Sequence, residues 1–296
     1  MNNNTNSLNE LNSLADGIIL ADKPIGFTSF DLTRVISKAI HIKKVGHSGT
    51  LDKAASGLMI VAFGKATKLL TYLVGLDKRY IGDVTFGTAT ATDDAEGQII
   101  AEYNGEIDNA KCQESLLAIQ GKINQIPPKY SAIHVDGQRA YKLANANTDF
   151  DIKPREVTIY GLDIVSVKEK TYTIDVHCSS GTYIRSIARD AGMSSGYYAH
   201  ISSLRRMSVG QFSIESANTL DQIKSGEFSV LSPLAAVSNI GIQVIEILPE
   251  YADHFRSGKK LSAALFRQPM GDGSAFVRDG DTLLGMIENG KYKFVY

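Results

Sequence analysis

Six consecutive apolar residues, Leu58-Met-Ile-Val-Ala-Phe63, stand between Gly57 and Gly64. A run this short, closed by glycine at each end, reads as a central strand, because a near-continuous apolar run needs cover on both faces of its sheet. Gly17-Ile-Ile-Leu-Ala21 reads as a second buried strand. These two runs commit the chain to a sheet, and the segments between them decide which kind.

Those segments mix the two periodicities. Thr28 or Ser29 can cap a helix with Leu32, Val35, Ile36, Ala39 and Ile40 on its apolar face. Lys43 to Asp52 is glycine-rich and reads as loop; Ala66 to Leu76 and Ala110 to Ile119 read as helices. Arg79 to Thr88 alternates as a strand does, with Ile99 to Tyr103 as its return. Ala132 to Val135 leads into an Asp136-Gly137 turn and a short helix from Arg139 to Ala146. Val157 to Val167 and Tyr172 to Cys178 pair as a hairpin. Tyr183 to Ala191 reads as a helix capped by Thr182 and stopped by Gly192. Strands and helices alternate irregularly, which makes the chain α+β rather than doubly wound. Residues 1–16 read as a polar leader and 17–242 as the main domain. From 243 to 296, short strands with Asp-Gly and Asn-Gly turns read as a small β-barrel of their own.

Cys112 and Cys178 cannot make a disulfide framework, and the N-terminus has no secretory pattern, so a reducing cytoplasmic setting is expected. The longest uncharged stretch, Phe228 to Ile245, is broken by polar residues and Pro233 and fails as a membrane span. No Walker or dinucleotide glycine pattern is present. Gly46-His-Ser-Gly-Thr50 misses the nucleophile elbow at its last position. The six histidines have no metal-ligand spacing, so no metal is expected.

Three segments remain. In Lys43-Lys-Val-Gly-His-Ser-Gly-Thr-Leu-Asp-Lys-Ala-Ala-Ser-Gly57, glycines flank His47-Ser48 and Asp52 precedes the central strand. Read alone, Asp52 fits a loop cap better than a carboxylate on a cleft floor. Cys178-Ser-Ser-Gly-Thr-Tyr-Ile-Arg-Ser-Ile-Ala-Arg-Asp-Ala-Gly192 puts Arg185 and Arg189 on one helix face, which equally fits a solvated basic helix. Tyr80, after Asp77-Lys-Arg, fits a ring packed on its sheet.

Taken together and in order, with Lys23-Pro-Ile-Gly-Phe-Thr-Ser29, Pro127-Pro-Lys-Tyr-Ser-Ala-Ile133 and Ser202-Ser-Leu-Arg-Arg-Met207, these segments resemble the TruB family of tRNA pseudouridine synthases. The resemblance is strong over about 17–212, and the tail from about 245 is similar to a PUA-type RNA-binding domain. It implies a mixed, largely antiparallel central sheet with flanking helices, and a thumb-like insertion at about 126–150. It implies conversion of uridine to pseudouridine at position 55 of the tRNA T-loop, with no cofactor. The partner is then the tRNA T-arm, no guide RNA is expected, and a monomer is expected. Matched residue by residue, Asp52 is the catalytic carboxylate, Tyr80 lies against the target base and Arg185 pairs with the carboxylate. His47 in the Gly46-His-Ser-Gly49 loop, Lys23, Tyr183 and Leu204 match substrate-binding positions.

The chemistry asks for such residues. Breaking a C–N glycosidic bond and making a C–C bond to the same sugar needs an ionised carboxylate at the junction. A guanidinium favours the charged form and fixes its angle. The base must leave its stack, with His47 placed to fill the space and Tyr80 to stack on the uracil. Small and apolar neighbours such as Ala55, Gly57 and Leu204 would leave room for it to turn. Lys53, where the family commonly has proline, is expected to loosen the loop. The related guide-RNA-dependent enzymes and a non-catalytic RNA-binding protein are the alternatives. The thumb-like insertion speaks against the first, and Asp52, Tyr80 and Arg185 together against the second.

Taken over the whole chain, the net charge of −1 argues against nucleic acid. Resolved along the chain it does not: Asp22 to Tyr80 holds ten Lys/Arg against four Asp, Lys122 to Arg155 six against three, and Tyr183 to Arg206 four against one. The basic excess lies on the motif-bearing segments. With screening over about 8 Å at physiological salt, acidic surface elsewhere hardly cancels it.

Overall fold

The computed structural model describes residues 15–146, 148–268 and 273–296. The leader expected over 1–16 lies outside them except for Ala15 and Asp16.

The two apolar runs become neighbouring strands at one side of a large sheet. Strand β1 (Gly17–Lys23) pairs antiparallel with β3 (Ser56–Phe63), and the short β2 (Val45–His47) pairs with β3 as well. Part of the glycine-rich segment expected to be loop is therefore strand. Next come β4 (Lys78–Phe86), β5 (Thr88–Thr90), β6 (Ile99–Glu102), β7 (Gly121–Gln125), β8 (His134–Val135) and β9 (Gln138–Arg139). They are followed by β10 (Arg155–Lys168), β11 (Thr171–Cys178), β12 (Ala199–Val209) and β13 (Phe212–Ser213). The sheet runs β1-β3-β12-β4-β11-β10-β7. Its pairs are antiparallel except β3 with β12, where Arg205 and Arg206 lie opposite Ser56 and Gly57. The sheet is mixed and largely antiparallel, as expected.

Alternation along β1 and β3 sends their side chains to two cores. Ile19, Ala21, Met59, Val61 and Phe63 face one. It is closed by helix α1 (Ser29–Ala39) through Leu32 and Ile36 and by a later helix through Ile184, Ile187, Ala188 and Ala191. Ile18, Leu20, Leu58, Ile60 and Ala62 face the other. The uninterrupted apolar run thus records burial on both faces. Thr28 caps α1 through a reciprocal bond pair with Asp31. The helix expected at Ala66 to Leu76 is split into a 3₁₀ turn, Gly64–Leu69, and α2 (Leu70–Val74). Helices α3 (Asn109–Leu117) and α4 (Ala140–Asn145) match their expected places.

The helix after β11, α5, spans Ile184–Ser195, two details of which differ from expectation. Thr182 does not cap it; its hydroxyl donates to the Ser179 carbonyl, and the Tyr183 amide is instead bonded by Gln125 Oε1 at 2.8 Å. Gly192 does not stop it either. The helix runs on to Gly196, which takes the left-handed conformation with φ 80°. Gly192 is needed for closeness: a Cβ there would stand 2.1 Å from the Ala199 nitrogen, where the chain returns into β12.

After α6 (Leu220–Ser225) and α7 (Pro233–Val237), the C-terminal strands form a separate sheet. It contains β14 (Gln243–Glu246), β15 (Ser274–Asp279), β16 (Thr282–Glu288) and β17 (Lys291–Val295), with β14 parallel to β15. Between β14 and β15 lies α8 (Ala252–Arg256), whose Phe255 joins Ile245, Val277 and Leu284 in a small core. Phe276, Leu283 and Met286 face the other way and complete the second core of the main sheet. The Phe276 ring meets Tyr72 edge-on at 5.5 Å.

Candidate functional site

At the β3–β12 junction Gly57 has φ 111°, and a Cβ would stand 2.3 Å from the Arg206 carbonyl oxygen. Glycine here lets Arg206 sit close behind the loop that carries Asp52. Gly57 does not line the cavity beside that loop; its smallness serves the backbone approach, not room for a base. Arg206 is buried, donating to the carbonyls of Leu58, Thr50 and Gly49. From the other side, the Ser29 hydroxyl bonds both the amide and the carbonyl of Leu51. Asp52 therefore projects from a loop held on two sides.

Its carboxylate Oδ2 lies 3.0 Å from Arg185 Nη2. The Arg185 side chain is 6% exposed and that of Asp52 41%. Arg185 also donates to the carbonyls of Thr92 (2.8 Å) and Tyr130 (3.0 Å), and its Nη1 stands 3.4 Å from Asp94 Oδ2. One guanidinium thus ties together the Asp52 loop, the 92–94 turn and the Tyr130 segment. It enters from the first turn of α5, whose lead residue Tyr183 is clamped by both ends of the buried Gln125 amide. Of the two readings of this helix face, the structure shows the buried one: Arg185 is turned inward. Arg189, one turn on, is likewise paired, with Asp93 at 3.1 Å and Asp190 at 2.8 Å.

This pair opens into a cavity of about 320 Å³. Tyr80, Tyr183, Leu204 and Gly49 line it with Asp52 and Arg185, as do Lys78, Ser131, Arg155 and Arg206. Tyr80 stands in the middle of the sheet between Val176 and Arg206. Burial raises the pKa of its hydroxyl, so the ring stays neutral. Tyr183 carries the Arg155 guanidinium 4.7 Å from its ring centre.

Three expected site residues do not line the cavity. Gly46 lies in β2 opposite Ala62, with Leu70 where a side chain would go. His47 is half-buried, and its Nδ1 accepts from the Gly49 amide at 3.3 Å. Burial and the Arg206 charge lower its pKa. Lys23 closes β1, fully buried, donating to the carbonyls of Phe27 (2.7 Å) and Pro24 (3.1 Å). Burial brings its pKa down to about 8 against the opposing pull of Asp52. It shapes the turn that follows β1.

Asp94, Gln125, Ser131, Arg155 and Arg206 escaped the sequence reading. Arg206 was legible: it stands two residues after Leu204 on one strand and so shares its face. Asp94 and Ser131 are brought in by loops with no periodicity to follow, and Gln125 and Arg155 face each other at the paired ends of β7 and β10, a pairing that only the finished sheet makes. Among the described residues no cluster of His, Cys, Asp and Glu could hold a metal, and no helix is long and apolar enough to cross a membrane.

The architecture has close counterparts. A "Cbf5-Nop10-Gar1 Complex" superposes with TM-score 0.71 over 98% of this chain and 86% of that one, at 21% identity. That likeness defines the class, the pseudouridine synthase fold. Residues 37–184 match the model for the TruB family pseudouridylate synthase N-terminal domain. Over 93% of the chain, a protein of Thermobifida fusca named "tRNA pseudouridine synthase B" is 38% identical, covering 95% of that relative. One of the same name from Leifsonia xyli is 34% identical, with 93% of each chain covered. The chain belongs to the TruB family of pseudouridylate synthases.

Proposed function

We propose that this enzyme converts uridine to pseudouridine at position 55 in the T-loop of tRNA, alone and without a cofactor. The observation that carries the reading is the 3.0 Å contact between a half-exposed Asp52 and a buried Arg185, at the edge of a cavity walled by Tyr80 and Leu204. The names of the relatives support tRNA as substrate. Stand-alone action is supported by 34–38% identity to those relatives, against 21% to a chain of an "archaeal box H/ACA sRNP Nop10-Cbf5 complex".

In this reading the target nucleotide leaves its stack and its uracil enters against Tyr80 and Leu204. Asp52 meets the sugar–base junction, as nucleophile or as proton acceptor. Arg185 keeps the carboxylate charged and aimed, and Asp94 holds Arg185 from behind. The C1′–N1 bond breaks, C1′–C5 forms, C5 loses a proton and N1 gains one. Lys23, His47 and Gly46 support the two loops that frame the cavity. The insertion at 126–150 and the unit from 243 onward grip the RNA outside it. The reduced, buried Cys112 and Cys178 suit work in the cytoplasm.

Purified protein should release tritium from tRNA carrying 5-tritiated uridine, and Asp52→Asn should release none while still binding the RNA. No release by the wild-type protein acting alone would sink the reading.

A further inference from the structure

Among the described residues, four buried side-chain polar atoms have no hydrogen-bond partner: Ser131 Oγ, Arg155 Nε, Arg185 Nε and Tyr296 Oη. Three of the four belong to residues that wall the Asp52 cavity. A buried polar group left unmatched is costly, so their convergence points to a ligand that supplies the missing partners. An arginine Nε can only donate and a serine hydroxyl can donate, so that ligand is rich in acceptors.

Ser131 is the least committed of the three. Arg155 stacks on Tyr183 and donates to the Gly181 carbonyl, and Arg185 is engaged with Asp52, Thr92 and Tyr130. Ser131 is 5% exposed, and its hydroxyl has no other engagement. Its place is nevertheless fixed. The carbonyl before it, of Tyr130, accepts from Arg185 Nη2 at 3.0 Å, and its own carbonyl accepts from the Tyr141 amide at 3.0 Å. The backbone that carries the hydroxyl is thus tied to the guanidinium that holds Asp52.

We propose that Ser131 is a substrate-binding residue whose hydroxyl donates to a ring carbonyl of the target uracil, and that it holds the base both before and after the base turns. This rests on the isomerisation reading of the cavity. Exchanging a C1′–N1 bond for a C1′–C5 bond is achieved by a half-turn of the ring about its C6–N3 axis. That half-turn puts C5 where N1 stood, and it also exchanges O2 and O4. One fixed donor therefore meets a carbonyl oxygen in both orientations and need not move with the ring. A wall of such donors binds the detached base without favouring either face.

The test compares wild type, Ser131→Ala and Ser131→Thr in single-turnover tritium release. Substrates are T-arm stem-loops with uridine, 2-thiouridine or 4-thiouridine at the target, since sulfur is a poor acceptor. Ser131→Ala should slow the uridine reaction about tenfold with RNA affinity unchanged, and Ser131→Thr should keep most of the rate. Both thio substitutions should slow wild type, and neither should slow Ser131→Ala much further. An undiminished rate in Ser131→Ala overturns the proposal. So do thio effects that persist in full in that variant, or a loss in wild type from only one of the two thio substrates. Equal losses in the Ala and Thr variants would overturn it as well. No release from the uridine stem-loop by wild type would instead overturn the reading of the site on which the proposal rests.

Discussion

Around Asp52 the charges are buried and bridge stretches of chain far apart in sequence, while in the C-terminal sheet they lie near the surface and several pair with neighbours. Arg185 joins residues 52, 92, 94 and 130, and Arg206 reaches back to 49, 50 and 58. In the C-terminal unit Arg256 pairs with Asp253 and Asp279, Lys293 with Glu288, and Arg278 with Glu246, all around an apolar core. Buried ion pairs often stabilise a fold less than apolar residues of the same volume would. Their concentration beside one cavity marks a site where geometry matters more than stability. The C-terminal unit shows the reverse arrangement, with stability drawn from apolar packing.

The sharpest way to break this comparison is Arg185→Ala. Turnover should fall at least about a hundredfold, because the carboxylate loses its aim and its counter-charge. RNA affinity should change only a few-fold. The folded state should also lose about 3 kcal/mol or more, since Asp94 is left buried without its partner. Single-turnover kinetics, filter binding and urea unfolding read the three quantities. Equal losses in turnover and in affinity would place Arg185 among the RNA grips.

Phe276→Ala attacks the other region. Phe276 has no exposure and joins the C-terminal sheet to the second core, edge-on to Tyr72. Truncation should cost about 3–5 kcal/mol in urea unfolding, with turnover per folded molecule unchanged. A matching fall in turnover would tie the C-terminal sheet to the chemistry and erase the contrast.

The same contrast explains what could be read in advance. The β3 run, the α1 cap at Thr28, the β10–β11 hairpin and the Asp136-Gly137 turn are local events, decided by periodicity and turn chemistry within a few residues. The β15–β16 and β16–β17 hairpins, at Asp279-Gly280 and Asn289-Gly290, are local too. Asp52, Tyr80 and Arg185 could be singled out only by the order of the motifs along the chain, because nothing near Asp52 in sequence announces Arg185. Gly192 and Gly57 were misjudged for a related reason. Each is glycine to admit another segment's backbone, and which segment arrives is a property of the finished fold. Segment charge overstated the free basic surface, since Arg79, Arg189 and Arg205 are occupied by Asp175, Asp93 and Asp190, and Asp22.

The smallest effect comes from removing an arginine of the C-terminal unit. Arg256 lies 2.9 Å from Asp253 and 3.4 Å from Asp279, with about half its side chain in water and Asp253 almost wholly so. In that setting the Coulomb gain is screened and offset by the ordering of long side chains. Arg256→Ala should therefore change the unfolding free energy by less than about 1 kcal/mol, and raised salt should shrink the difference. The count of ion pairs is two here, the same as the carboxylates that face Arg185, so the two substitutions differ in burial and in the Thr92 and Tyr130 carbonyls that Arg185 also engages. A loss in Arg256→Ala comparable to that in Arg185→Ala would show that pairing itself, rather than burial, sets the scale.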